Sequence, residues 1–232
     1  MLIFVAATDK EMHAALGHAG APALEQGREV EFRTAGRELL LCVTGVGLVN
    51  AALHAGRLLE RPDVEGLVAV GIAGVYSLGE LSLTSTCYAW REIWPEYGLL
   101  NEDGGVDARG IGFAQETIGG KPVWDRVDLN PTNDAARMGL HLSADWPRAS
   151  AVTVSSVTGT AERAGWLETA YSADIENMEG FALALAAARK GAPFLELRTI
   201  SNLAGSRFAD EWDVGGALKS LGNSVRHLLS GA

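Results

Sequence analysis

Short apolar runs separated by stretches of helical periodicity set the strongest limit on how this chain folds. MLIFVAA at the start reads as a buried strand, and TDKEMHAALGHAG after it reads as a helix whose polar opening caps exposed amides. EVEFRTAG and ELLLCVTG follow as two strands joined by a tight turn around Gly36, then GVGLVNAALHAGRLLERPD as a helix stopped by Pro62. A further apolar strand, GLVAVG, runs into a glycine-rich loop, GIAGV, and the stretch from Leu83 to Trp94 is again strand-like. After 101–147, where Gly, Asp and Pro leave no clear period, order returns: SAVTVSSV as strand, AERAGWLETAYS and GFALALAAARKG as helices, PFLELRTIS as strand, and a last helix over Val214 to Leu229. Strands that alternate with helices imply an α/β fold, a mainly parallel sheet covered on both faces, with ligands bound at the carboxyl ends of its strands.

The 232 residues suffice for one core, so a single domain over 1–232 is expected. The formal net charge of -10 opposes attraction to a nucleic-acid backbone or an anionic membrane surface, both of which require clustered Lys and Arg. Leu2 to Ala7 is too short and too quickly interrupted by Asp9 and Lys10 for a signal peptide, and no later run could span a bilayer. Cys42 and Cys87 lie in apolar strand-like stretches, as buried free thiols do, and a reducing cytoplasm fits them. The 5 histidines do not fall in ligand spacings, so neither a metal nor a cofactor is implied.

Residues just past the expected strand ends form a short list. They are Glu11, the Gly71–Gly74 turn, Thr158 and Gly159, the NMEG segment from Asn177 to Gly180, and Ser201 with Asn202. Two of them, Glu11 and Glu179, are carboxylates. Such a pair can bind sugar hydroxyls and deprotonate water, the minimum needed to hydrolyse a glycosidic bond through an oxocarbenium-like transition state. An ordinary first-turn glutamate favoured by the helix dipole is the plain alternative for Glu11. Glu179 is different, because a carboxylate beside so apolar a helix is costly unless it is paired or at a site.

At these residues the chain resembles the nucleoside phosphorylase and nucleosidase superfamily, the methylthioadenosine/S-adenosylhomocysteine nucleosidases and, more closely, the futalosine hydrolases. FVAATDKE, GVGLVNAA, GIAGV, TVSSVTGT, ENMEG, RTISN and SRFADEWDV carry the likeness in order over nearly the whole length. The resemblance implies a three-layer α/β/α domain with a central mixed sheet, a homodimer or higher homo-oligomer, and a small purine nucleoside as substrate. It also implies hydrolysis of futalosine to hypoxanthine and dehypoxanthine futalosine, a step toward menaquinone. By the same likeness Glu11 orients the water, Arg198 helps hold it, and Glu179 accepts from the ribose hydroxyls. Met178 packs on the ribose, Val46 lines the pocket, and Ala73 and Gly74 bring backbone close to the substrate. Thr158 and Gly159 fall where backbone recognises the base edge, although the aromatic residue that stacks on the base in related nucleosidases is absent from that stretch. Arg207 is the basic residue near the site that could meet the benzoate of futalosine, and Trp90, Trp94 and Trp212 read as core or interface.

Asn202 is the informative departure. Adenine-specific nucleosidases carry an aspartate after the serine of RTIS, where this chain has Ser201 followed by Asn202. Asparagine offers an acceptor and a donor together, suiting a protonated N7 and the 6-oxo group of hypoxanthine. A methylthioadenosine-type nucleosidase is disfavoured by the same residue. A 6-oxopurine phosphorylase would need a cationic phosphate cradle, and LVAVGIAG contains no arginine. A catalytically silent nucleoside-binding protein is the remaining alternative, against which stand Glu11, Glu179 and Arg198.

Overall fold

In the computed structural model, which describes residues 1–102 and 104–230, the alternation resolves into a nine-stranded mixed sheet and six α-helices. The first half comprises β1 (Leu2–Ala6), α1 (Asp9–Leu16), β2 (Glu29–Thr34), β3 (Arg37–Val43), α2 (Leu48–Leu58), β4 (Gly66–Val75) and β5 (Thr86–Ile93). The segment without clear period folds into two small hairpins, β6 (Leu99–Leu100) with β7 (Val106–Asp107) and β8 (Glu116–Ile118) with β9 (Lys121–Val123), before β10 (Arg126–Asp128) and α3 (Pro131–Arg137). Asp103 in that segment and the last two residues of the expected 1–232 domain lie outside the described residues. The chain continues through β11 (Arg148–Thr153), α4 (Ala161–Tyr171), β12 (Ile175–Asn177), α5 (Gly180–Lys190), β13 (Phe194–Leu203) and α6 (Val214–Leu229).

The main path of the sheet runs β10-β5-β11-β12-β4-β1-β3-β2, and β13 pairs with both β4 and β5. β1 shows why its sequence is apolar throughout: every residue is buried, and successive side chains serve opposite layers. Leu2 and Phe4 pack with Met12 and Leu16 of α1, Ala135 of α3 and Leu221, Val225 and Leu228 of α6. Ile3 and Val5 pack with Ala51, Ala55 and Leu58 of α2 and with Phe181, Leu183 and Ala184 of α5. Helices thus cover both faces, giving the three layers. Local chemistry fixes the helix ends: Thr8 and Glu11 form a reciprocal capping box at α1, Asp213 accepts from the Gly216 amide at α6, and Gly191 closes α5 at a φ of 66°.

Three expectations need correction. Gly71 to Val75 is not a loop but the second half of β4, because β13 on one side and β12 on the other engage its backbone to the end. Ser201 and Asn202 do not follow the last strand but belong to β13, where the register shifts between Ile200 and Asn202. The three-residue β12, which seats Asn177, carries too few residues for period to reveal it. Cys42 and Cys87 are free and buried, and burial raises their thiols to about 11 and about 12. No helix among the described residues is long and apolar enough to cross a membrane.

Candidate active site

A cavity of about 370 Å³ opens where β1, β4, β11, β12 and β13 end, and its wall carries Glu11, Glu176 and Glu179 with Ser201 and Asn202. A larger cleft of about 620 Å³ lies between α4 and the β7–β10 excursion, walled by Trp124, Trp166 and Arg126. Volume is the weaker guide here, since the smaller cavity is the one on which buried carboxylates converge.

At one end stand Glu11, Glu179 and Arg198, all buried. Glu11 is a buried first-turn residue rather than a solvated one. One oxygen closes the capping box, accepting from the Thr8 amide at 3.0 Å and the Thr8 hydroxyl at 2.8 Å, while the other accepts from the Ile72 amide at 3.1 Å. Gly71 explains how it fits: a Cβ there would lie 2.7 Å from Glu11 Oε1 and 2.6 Å from Arg198 Nη1, so the missing side chain is the space those two groups share. Glu179, the residue preceding α5, accepts from the Gly47 amide at 2.9 Å and faces Arg198 Nη2 at 3.8 Å. Burial raises its pKa, against the pull of Arg198 and the Gly47 amide, and Glu11 and Glu196 add to the rise.

Behind this front lies a second group of charges that the motifs do not reveal. Arg198 Nε donates to Glu196 at 2.8 Å, and Asn177 Nδ2 donates to Glu92 at 2.6 Å and to Glu196 at 3.1 Å. Burial first, then the charge of Glu196, holds Glu92 well above the usual carboxylate range. Burial opposes the charge on Arg198, but Glu196, Glu179 and Glu11 outweigh it and raise its pKa. The available signal was a carboxylate inside an apolar strand, in YAWREI and in FLELR.

The far end is built on Gly74, which pairs with Glu176 of β12 and with Asn202 of β13. The Ser201 hydroxyl, with one proton to give, lies 2.8 Å from Asn202 Oδ1 and 3.1 Å from the Ala73 carbonyl, and donation to Oδ1 orients the Asn202 amide. The Thr158 amide donates to Glu176 at 3.0 Å and the Thr158 carbonyl accepts from the Gly205 amide at 3.2 Å, so the Thr158 backbone is already engaged within the protein. Gly159 is exposed and lies outside the cavity wall, beside Arg207. Met178, Val46, Ala73 and Thr158 do line the cavity, as does Arg207. Trp212 does not lie in the core: it is 36% exposed, lines the cavity and bridges to Asn202. Sequence reading also passed over Glu176 and Lys10. Among the described residues no group of three or more His, Cys, Asp or Glu side chains could hold a metal ion.

The sequence matches the family described as the Phosphorylase superfamily over residues 2–230. A futalosine hydrolase of Thermus thermophilus is 35% identical over 193 residues, covering 81% of this chain and 79% of that one. A futalosine hydrolase of Streptomyces coelicolor is 32% identical over 194 residues, covering 81% and 77%. Among solved structures, a futalosine hydrolase mutant of Helicobacter pylori superposes with a TM-score of 0.75 at 18% identity, over 99% of this chain and 97% of that one.

Proposed function

The chain belongs to the phosphorylase superfamily, and we propose that it is a futalosine hydrolase, releasing hypoxanthine and dehypoxanthine futalosine with water as the nucleophile. The observation that carries this reading is the convergence of Glu11 and Glu179 on one cavity with Asn202 at its other end. Water held by Glu11 adds to the anomeric carbon as the bond to the base nitrogen breaks. Its proton passes to the Glu11 carboxylate. Glu179 accepts from the ribose hydroxyls, contacts that tighten as the ring flattens. N7 takes a proton from solvent as the bond to the base breaks. Asn202 accepts from that N7–H and donates to the 6-oxo group, so the base leaves neutral, and Glu11 afterwards returns its proton to solvent. Trp212 supplies the flat aromatic face that is missing near Thr158, and Met178 and Val46 pack on the sugar. Arg207 and Lys10, both exposed at the rim, are the cations available to the benzoate.

Hydrolysis is favoured over phosphorolysis because Glu11 and Glu179 face the place where a phosphate dianion would sit, and the buried Arg198 is committed to Glu196. A homo-oligomer is supported by apolar side chains left in solvent on α2, Val49 at 71% and Leu53 at 68% exposure. Two buried free thiols support a cytoplasmic enzyme, and the acidic charge supports one without nucleic-acid or membrane partners. The place of the reaction is menaquinone synthesis.

The test is to incubate the protein with futalosine, with and without phosphate, and to measure the base released. Hypoxanthine should appear at a rate independent of phosphate. A strict requirement for phosphate, with a sugar 1-phosphate as product, would sink the hydrolase reading. No release under either condition would favour a silent nucleoside-binding protein.

A further inference from the structure

Glu176 is a pocket carboxylate that the mechanism above leaves without a task. It is 5% exposed, lines the cavity and sits on β12 opposite Gly74, the same residue that Asn202 faces from β13. A point one Cβ bond from Gly74 lies 3.1 Å from Asn202 Nδ2 and 3.4 Å from Glu176 Cγ. The Asn202 amide and the Glu176 side chain therefore approach the same side of Gly74, where no side chain stands between them, and both residues line the cavity.

The carboxylate is held firmly. Its Oε1 accepts from the Thr158 amide at 3.0 Å, and its Oε2 accepts from the Thr158 hydroxyl and from the Tyr76 hydroxyl at 3.1 Å. These bonds fix its orientation while leaving acceptor capacity on Oε1, since a carboxylate oxygen can take more than one donor.

On a 6-oxopurine the next polar group around the ring from N7 and O6 is N1–H, a donor. On adenine the same atom carries a lone pair. We propose that Glu176 is a specificity-determining residue, accepting from N1–H of the 6-oxopurine beside Asn202 and opposing the N1 lone pair of adenine. This deepens the reading of the site as one for a hypoxanthine nucleoside, and rests on it for the placement of the base. Thr158 then acts on the base only through Glu176, which accounts for a backbone already engaged in the protein.

The experiment compares wild type with Glu176→Gln, which keeps the shape, and Glu176→Ala. Relative kcat/KM is measured for futalosine against aminodeoxyfutalosine, which share a 5'-group and differ in the base, and hypoxanthine and adenine binding is measured by calorimetry. In Glu176→Ala the hypoxanthine-to-adenine ratio should fall at least about tenfold, as expected when one buried donor loses its acceptor. Glu176→Gln should shift it the same way by less, because its carbonyl can still accept. An unchanged ratio with both substrates slowed equally would overturn the proposal and leave Glu176 as a brace for Thr158. Should futalosine go uncleaved by wild type, the hydrolase reading falls alone if hypoxanthine still outbinds adenine only while Glu176 is present. Equal loss of both bases in the variants would overturn the inference by the same measurement.

Discussion

Arg198 and Glu196 form the closest ion pair behind the cavity, with Nε donating to Oε1 at 2.8 Å between side chains that are 3% and 0% exposed. Glu179 stands farther from the same guanidinium, at 3.8 Å. The arginine is thus anchored from behind, which lets it balance the carboxylates in front without swinging toward them. Its planar fork is what reaches both sides.

Arg198→Met should therefore destabilise the fold as well as the site, since Glu196 and Glu179 would stay buried without their cation. Removing one member of a buried pair typically costs about 3–5 kcal/mol. Urea denaturation measures it, with Arg198→Lys expected to fall between the variant and wild type. Wild-type stability in Arg198→Met would mean that the pair contributes nothing.

Glu11→Gln separates the capping contact of that residue from its proposed part in activating water. Glutamine is tolerated at the third position of a capping box, so α1 should still form. Proton acceptance is lost, and kcat for base release should drop by roughly a hundred- to ten-thousand-fold with KM little changed. Near-full kcat would leave Glu11 as a cap alone.

Glu92 predicts a pH dependence of stability. Burial and then Glu196 raise its folded pKa above the ordinary value of 4.5, and Thr153 and Asn177 are the other polar groups that face it. A carboxyl raised in this way contributes stability in full below its unfolded value and loses it as pH climbs toward the folded one. Glu92→Gln cannot titrate. Between pH 4.5 and its raised folded pKa, wild type should lose stability relative to Glu92→Gln, with a slope approaching about 1.4 kcal/mol per pH unit, one proton's worth, and levelling off above the folded pKa. Chemical denaturation of both proteins across pH 5–8 gives the two slopes. Parallel slopes would show that Glu92 is ionised in the folded protein.

The wholly buried β1, the helix caps at Thr8 and Asp213, and the carboxylates Glu11 and Glu179 are legible in the chain, because apolar period, capping chemistry and an acidic residue out of place are local signals. The 101–147 segment was not, since strands of two or three residues are too short to show a period. Nor could local sequence decide that GIAGV stays in the sheet, because that depends on the strands that pair with it. Residues distant in sequence met only through register: Glu176 and Asn202 both face Gly74, and the shift after Ile200 brings Asn202, rather than Ser201, opposite that glycine. Trp212 reached the cavity by the same kind of pairing, bridging to Asn202. What the sequence by itself determined is the order of strands and helices and a set of candidate polar residues, Glu11, Glu179 and Asn202 among them. Which of them come together was decided by strand pairing, whose partners and offset are set by packing across the whole sheet.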